Sequence, residues 1–250
     1  MKIILSGCNG QMGRAVTRCA AAGDSCEIVA GIDIAAGENA AYPVFTDPDL
    51  CDTKADVIID FSHPSALTPL LKMAVGRGIA AVISTTGFGD GQVMEIKAAA
   101  ERIPIFSSAN MSLGVNLLRE LSITAARVLG SGFDIEIVEK HHNQKIDAPS
   151  GTALMLADAV SSALPQPPTY IYDRRSRRGK RTKNEIGLHA VRGGTITGEH
   201  DVIFAGTDEV ITLSHRAYSK EVFAAGSLRA AAFLIGKKPG LYGMADLLDS

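Results

Sequence analysis

Five short apolar runs recur along the first 110 residues: "KIILS" (2–6), "CEIVAGID" (26–33), "ADVIIDFS" (55–62), "IAAVIST" (79–85) and "IPIFSSA" (103–109). Each reads as a buried strand, because its apolar residues run on with little polar alternation. Between them lie an Ala/Arg-rich stretch to about Ala22, "HPSALTPLLKMAVGRG" and "GQVMEIKAAAER". These carry helical periodicity and begin near Gly, Pro or Ser. Strands alternating with helices in this way predict a parallel sheet covered on both faces.

The pattern changes after about residue 112. A helical stretch, "LGVNLLRELSITAARVLG", leads to the strand "FDIEIVEKH", a His/Lys loop and a second helix from Ser150. Two later stretches alternate as half-buried strands do: "EIGLHAVRGG" and "HDVIFAGTDEVITLSHRA". The second is broken at Gly206-Thr207-Asp208, as a hairpin would be. Residues 165–185 are Pro-rich and then basic, without a period, and read as a loop. A last helix is expected over about Lys220–Ile235, returning the chain to the first domain. The expected class is therefore α/β: a Rossmann-type sheet domain, 1–111 with 220–250, and an α+β domain with a mixed sheet, 112–219. No internal repeat is visible.

Composition narrows the function. The chain has 250 residues, 46% hydrophobic and 21% charged, with a formal net charge of −2 and no Trp. That balance excludes a general polyanion binder, and scarce aromatics argue against base-stacking platforms for single strands. "MKIILSGC" resembles a lipoprotein cleavage box, but seven residues before Cys8 are too few for a signal peptide. No run approaches the roughly 20 apolar residues that span a bilayer. Four cysteines (Cys8, Cys19, Cys26, Cys51) sit in the first fifth of the chain without C-x-x-C spacing. Neither a disulfide framework nor a zinc site is expected, and a cytoplasmic protein with reduced thiols is.

"SGCNGQMGRAV" places Gly7, Gly10 and Gly13 between a strand and a helix. Against the fingerprint G-x-G-x-x-G, Gly10 and Gly13 take the second and third slots and Cys8 the first. The second glycine lets backbone approach a pyrophosphate, and the helix start offers it amide hydrogens. Asp33 ends the second strand 20 residues beyond Gly13, where a carboxylate would bind an adenosine ribose. Asn9 and Gln11 sit in the turn and Ile34 follows the acid, so no cation stands ready for a 2′-phosphate. Arg14 lies at the helix start, where packing or the pyrophosphate would use it. NADH is expected over NADPH, with dual use open.

In "EKHHNQKIDAPSGTAL" (139–154), His141 and His142 point to opposite faces of a strand end, which makes them poor joint metal ligands. Ser150 is placed as an N-cap, leaving the amides of Gly151 and Thr152 free. Lys145 beside a helix N-terminus is a carboxylate receptor by point charge and by oriented donors. A neighbouring histidine can exchange a proton near neutral pH. Taken singly, these residues are a strand end, a solvated lysine and a cap; together they read as an anion pocket containing an acid.

The motifs "GCNGQMGR", "DFSHP", "STTGF", "SANMSLGVN", "EKHHNQKIDAPSGTA" and "RGGTITGEH", in this order from residue 7 to residue 200, resemble the dihydrodipicolinate reductase family. "GLYGMADLLD" near the C-terminus also fits. The resemblance implies a tetramer assembled through the mixed sheet. It also implies reduction of a cyclic dicarboxylate by NADH or NADPH in lysine and diaminopimelate synthesis. His141 would donate the proton, aided by Lys145, while His142, Lys145, Gly151 and Thr152 bind substrate. Gly7, Asn9, Gly10, Gln11, Met12, Gly13 and Asp33 would hold the dinucleotide. Ser84, Thr85, Thr86 with Gly87, and Ser108, Ala109, Asn110 and Met111 would line its nicotinamide side. Lys220 stands where arginine is frequent in the family.

Other features carry less. "RRSRRGKRTK" (174–183) holds seven basic residues, but without interleaved aromatics it reads as a solvated loop rather than a nucleic-acid patch. His189 and Arg192 either face substrate or end a strand, and His63 has no expected chemistry. A semialdehyde dehydrogenase would need a thiol nucleophile in the second domain, and no cysteine follows Cys51. A redox-sensing regulator would keep the glycine turn but has no use for the His/Lys pocket, and no DNA-reading helix is apparent.

Overall fold

The computed structural model describes residues 1–36 and 41–250, which divide into two compact units: Met1–Leu113 with Lys220–Ser250, and Gly114–Ser219. The first unit runs β1 (Lys2–Ser6), α1 (Gln11–Ala21), β2 (Glu27–Ile32), β3 (Val44–Phe45), β4 (Val57–Asp60), α2 (Leu67–Arg77), β5 (Ala80–Ile83), α3 (Asp90–Ala100) and β6 (Pro104–Ser107). The second contains most of α4 (Leu113–Leu129), then β7 (Asp134–His141), α5 (Gly151–Ala163), β8 (Thr169–Ile171), β9 (Glu185–Arg192), β10 (Gly198–Ala205) and β11 (Val210–Ala217). The chain then completes the first unit with α6 (Glu221–Leu234), β12 (Gly240–Tyr242) and α7 (Met244–Leu248).

All pairings in the first sheet are parallel, in the order β12-β6-β5-β4-β1-β2-β3. This is the Rossmann-type arrangement, whose order reverses between β1 and β4. Successive residues of its strands point to opposite faces, and both faces are dry. Ile3, Leu5, Val57, Ile59 and Val82 form one core with α1 and α6. Ile4, Ile58, Ala81 and Ile83 form the other with α2 and α3. Burial on both sides is the reason these strands lack a polar alternation.

The second sheet is mixed, in the order β11-β10-β7-β9-β8. β7 pairs antiparallel with β10 and parallel with β9. Ile135, Ile137, Leu188, Val202 and Phe204 pack on Leu118, Leu156 and Val160 of α4 and α5. The opposite face carries charge: Lys140 Nζ lies 3.1 Å from both Glu199 and Asp201. The break at Gly206-Thr207-Asp208 is the β10–β11 turn, with the Gly206 amide donating to the Glu209 carbonyl and Asp208 at φ 61°.

Two expectations need correction here. Residues 165–185 are not all loop, since β8 pairs parallel with β9; three residues are too few to show a period, and their partner is distant in sequence. Nor are all seven basic residues of 174–183 solvated. Arg174 pairs with Glu136 and Glu185, and Arg181 with Asp134 and Glu136, so two of the seven tie this segment to the sheet. The short β3, β12 and α7 also carry no periodic signal.

Candidate active site

In the first unit, the turn after β1 is shaped by glycines at 7, 10 and 13, and the steric demand falls on Gly7 rather than Cys8. Gly7 sits at φ +75°, and a Cβ there would lie 2.4 Å from the Phe61 carbonyl oxygen. A Cβ on Gly13 would lie 2.2 Å from the Gly7 carbonyl oxygen. The first slot of the fingerprint is therefore displaced by one residue. Cys8 points inward instead, where burial first and the Asp33 charge second push its thiol up to about 11. It is a packing group.

Gly10 is the N-cap of α1 and brings no side-chain cap, so the helix start presents open amide donors. Asp33 accepts from the backbone amides of Asn9 (2.9 Å) and Ile34 (2.8 Å), which fixes its carboxylate beside the turn. Gly7, Asn9, Gly10, Asp33 and Ile34 line a cavity of about 690 Å³. Gln11 and Lys220 are hydrogen-bonded to each other at the start of α1.

A second cavity, of about 530 Å³, is lined by Met12, Ser84, Thr85, Thr86, Ala109, Asn110 and Met111, among others. Beside it, Asp60 at the end of β4 is buried and accepts the hydroxyls of Thr85 and Ser62, each at 2.6 Å. Ser84 Oγ is buried there without a partner. Ser108 Oγ donates to the Asn110 carbonyl at 2.8 Å and shapes the turn after β6. A glycine cradle at a helix start, an acid at the end of β2 and an unpartnered buried hydroxyl together fit a dinucleotide. Ser62 and Asp60 were not among the expected residues; an acid ending a buried strand in "IIDFS" is the signal.

In the second unit, β7 alternates strictly, so Ile135, Ile137, Glu139 and His141 share the inner face. His141 is 8% exposed and Glu139 fully buried. His141 Nδ1 lies 2.6 Å from Glu139 Oε2. Both terminal nitrogens of Arg192 reach the same carboxylate at 2.7 Å, and the Ser150 amide donates to it at 3.0 Å. Burial alone would raise the Glu139 carboxyl, but these donors carry it below the usual carboxylate range. Burial lowers the His141 imidazole, against the pull of Glu139.

Ser150 caps α5, its hydroxyl accepting from the Ala153 amide at 3.1 Å and contacting His200 Nε2 at 3.0 Å. Gly151 and Thr152 open the helix, as the Pro-Ser-Gly-Thr turn predicts. Lys145 is held by Asp147 at 2.8 Å, and its amide donates to the His142 carbonyl. His142 is half-buried and follows β7. The structure thus gathers His141, Ser150 and the start of α5 about one carboxylate, with Lys145 on the adjoining loop. Glu139 and Arg192 are the residues that sequence reasoning undervalued. Glu139 carries a visible signal, two positions before His141 on one strand face. The partnership with Arg192, 53 residues away, carries none.

His189 does not join this group; it bonds Glu136 at 2.7 Å on the opposite sheet face. His63 caps a 3₁₀ turn through the Ser65 amide.

A parallel Rossmann-type sheet in one unit and a mixed sheet bearing a buried histidine–carboxylate pair in the other define a two-unit protein of the dinucleotide-binding class. Residues 1–111 match the family described as dihydrodipicolinate reductase, N-terminus, and residues 114–248 its C-terminus, so the chain belongs to the dihydrodipicolinate reductase family. It is 53% identical to the 4-hydroxy-tetrahydrodipicolinate reductase of Caldanaerobacter subterraneus subsp. tengcongensis, covering 99% of this chain and 98% of that one. The Clostridium tetani enzyme of the same name is 48% identical, over 100% and 98%. In fold it is similar to a dipicolinate-bound dihydrodipicolinate reductase from Paenisporosarcina sp. TG-14 (TM-score 0.81, 24% identity, 98% of both chains). It is also similar in fold to GenD2 of gentamicin A biosynthesis in complex with NAD (TM-score 0.62, 14% identity, 99% of this chain and 90% of that one). No helix among the described residues is long and apolar enough to cross a membrane.

Proposed function

We propose that this protein reduces 4-hydroxy-tetrahydrodipicolinate to tetrahydrodipicolinate, in lysine and diaminopimelate synthesis, and that His141 supplies the proton. The observation carrying this reading is the buried His141–Glu139 pair, with Lys145 and the start of α5 following it in the same unit. Family membership selects the substrate. When bound, the nicotinamide cofactor supplies the hydride.

The residues then divide the work. Gly7, Asn9, Gly10, Gln11, Met12 and Gly13 cradle the pyrophosphate at the start of α1, and Asp33 takes the adenosine ribose. Ser84, Thr85, Thr86 and Ser108–Met111 hold the nicotinamide side, with Asp60 keeping Thr85 in place. Lys145 pairs with a substrate carboxylate, and Gly151 and Thr152 bind a carboxylate through backbone and hydroxyl, with His142 alongside. Once the 4-hydroxyl has left as water, hydride addition to the resulting conjugated ring develops negative charge at carbon, which His141 quenches with its proton. Burial disfavours imidazolium in the free chain; a bound dicarboxylate adds the negative charge that favours it.

NADH is the proposed preference. Among the described residues no Lys or Arg lines the cavity around Asp33, and Ile34 is 96% exposed where a cation would neutralise a 2′-phosphate. The protein is further proposed to act as a cytoplasmic homotetramer assembled through the mixed sheet.

The deciding experiment is parallel NADH and NADPH oxidation with substrate generated freshly from pyruvate and aspartate semialdehyde. Turnover with a higher kcat/KM for NADH is expected. Tight cofactor binding with no turnover would overturn the substrate assignment, and an NADPH advantage would overturn the cofactor preference alone.

Lys145→Ala offers a second check. KM for substrate is expected to rise roughly 10- to 100-fold, the worth of one charged hydrogen bond, with NADH affinity unchanged. Equal loss of both affinities in calorimetric titration would mean that Lys145 serves the fold instead.

A further inference from the structure

Glu139 is fully buried, yet each carboxylate oxygen takes two donors: Oε2 from His141 and Arg192, Oε1 from Arg192 and the Ser150 amide. An ionised carboxylate only accepts, so His141 must carry its hydrogen on Nδ1 and use Nε2 for exchange. The space at Nε2 is kept by Gly198, where a Cβ would lie 3.1 Å away. The His200 ring meets His141 edge-on at 5.2 Å between centroids and limits its tilt. Arg192 is itself anchored, donating to the Asp147 carbonyl at 2.7 Å.

We propose that Glu139 and Arg192 form an opposed positioning pair for His141: Glu139 orients the ring and favours its protonated form, and Arg192 limits that pull by neutralising the carboxylate. The proposal deepens the reading above, on which His141 is the acid. Without Arg192, a buried carboxylate would hold the proton on the ring too firmly to release it. Without Glu139, the ring loses both its tautomer and its stabilised cation.

The charges around His141 come from every side. Glu139 lies on its own strand and Arg192 on β9. Lys145, paired with Asp147, is on the following loop, and His200 is on β10 with His215 opposite it on β11. Burial first, then the neighbouring His141, pushes His200 down to about 4, so it stays neutral near pH 7. Lys145 and Arg192 disfavour a charged His141 and Glu139 favours it. Removing either member of the pair must therefore move the imidazole in opposite directions.

The test is an NMR titration of His141 in histidine-labelled protein without substrate, for the parent, Glu139→Gln and Arg192→Gln. Glu139→Gln is expected to lower the His141 midpoint by about one pH unit, and Arg192→Gln to raise it by a similar amount. The alkaline limb of kcat should follow the same two directions, with KM changed far less. Arg192→Lys and Glu139→Asp retain charge and should keep the midpoint near the parent value, so they carry the comparison if a glutamine variant folds poorly. Shifts of the same sign, or no shift in either variant, would overturn the pair. A structural role alone would lower activity and leave the midpoint in place. Because the titration needs no turnover, opposite shifts combined with an active His141→Gln enzyme would keep the pair and reject only the acid role.

Discussion

His141→Gln is expected to lower kcat by roughly 10²- to 10⁴-fold, the usual contribution of a positioned general acid, while KM changes little. Glutamine is close in reach to histidine and can still hydrogen-bond Glu139, so the buried network keeps a partner. What it lacks is a titratable proton at the position of Nε2. Lys145 and the start of α5, which hold the carboxylates on this reading, are untouched. Steady-state kinetics across pH separates the possibilities. A pure loss of affinity at unchanged kcat would remove His141 from the proton-transfer role. The remaining activity should also lose the alkaline limb that His141 imposes on the parent.

Gly13→Ala should damage the fold before it damages chemistry. The added Cβ would meet three backbone atoms, at 2.2 Å from the Gly7 carbonyl oxygen and 2.6 Å from Cys8 Cα and the Cys8 carbonyl oxygen. No side chain is there to swing aside, so β1 and α1 must separate. Overpacking of this kind costs about 1–3 kcal/mol and more where backbone must move. A lower Tm in the absence of cofactor and loss of NADH binding are both expected. Gly10→Ala provides the contrast. Its Cβ would sit 3.3 Å from the Gly7 carbonyl oxygen, a contact that a small shift relieves. It should therefore weaken NADH binding with much less loss of Tm, because it stands where backbone must approach the pyrophosphate. Equal Tm for Gly13→Ala and the parent would refute the steric account of the turn.

The class of this protein follows from local patterns in its chain. Continuous apolar runs such as "ADVIIDFS" can be satisfied only by a sheet buried on both faces, and the glycines between β1 and α1 are demanded by backbone approach, a local property. Ser150 is similarly legible, because capping is decided within four residues. The histidines and lysine of 139–154 are close in sequence, and so were visible as one constellation.

Tertiary structure alone decided the rest. Which glycine occupies the strained position depends on Phe61, 54 residues from Gly7. β8 exists because β9 lies beside it, and Arg174 and Arg181 are tied to the sheet because Glu136 waits on a strand 38 and 45 residues away. Above all, Arg192 meets Glu139 only because β7 and β9 run parallel, in a register that sets His141 opposite Arg192. Local rules read residues a few positions apart, whereas pairing register and long-range ion pairs are set by which strands meet. His141 was therefore legible from the chain, and the charges that govern its proton were not.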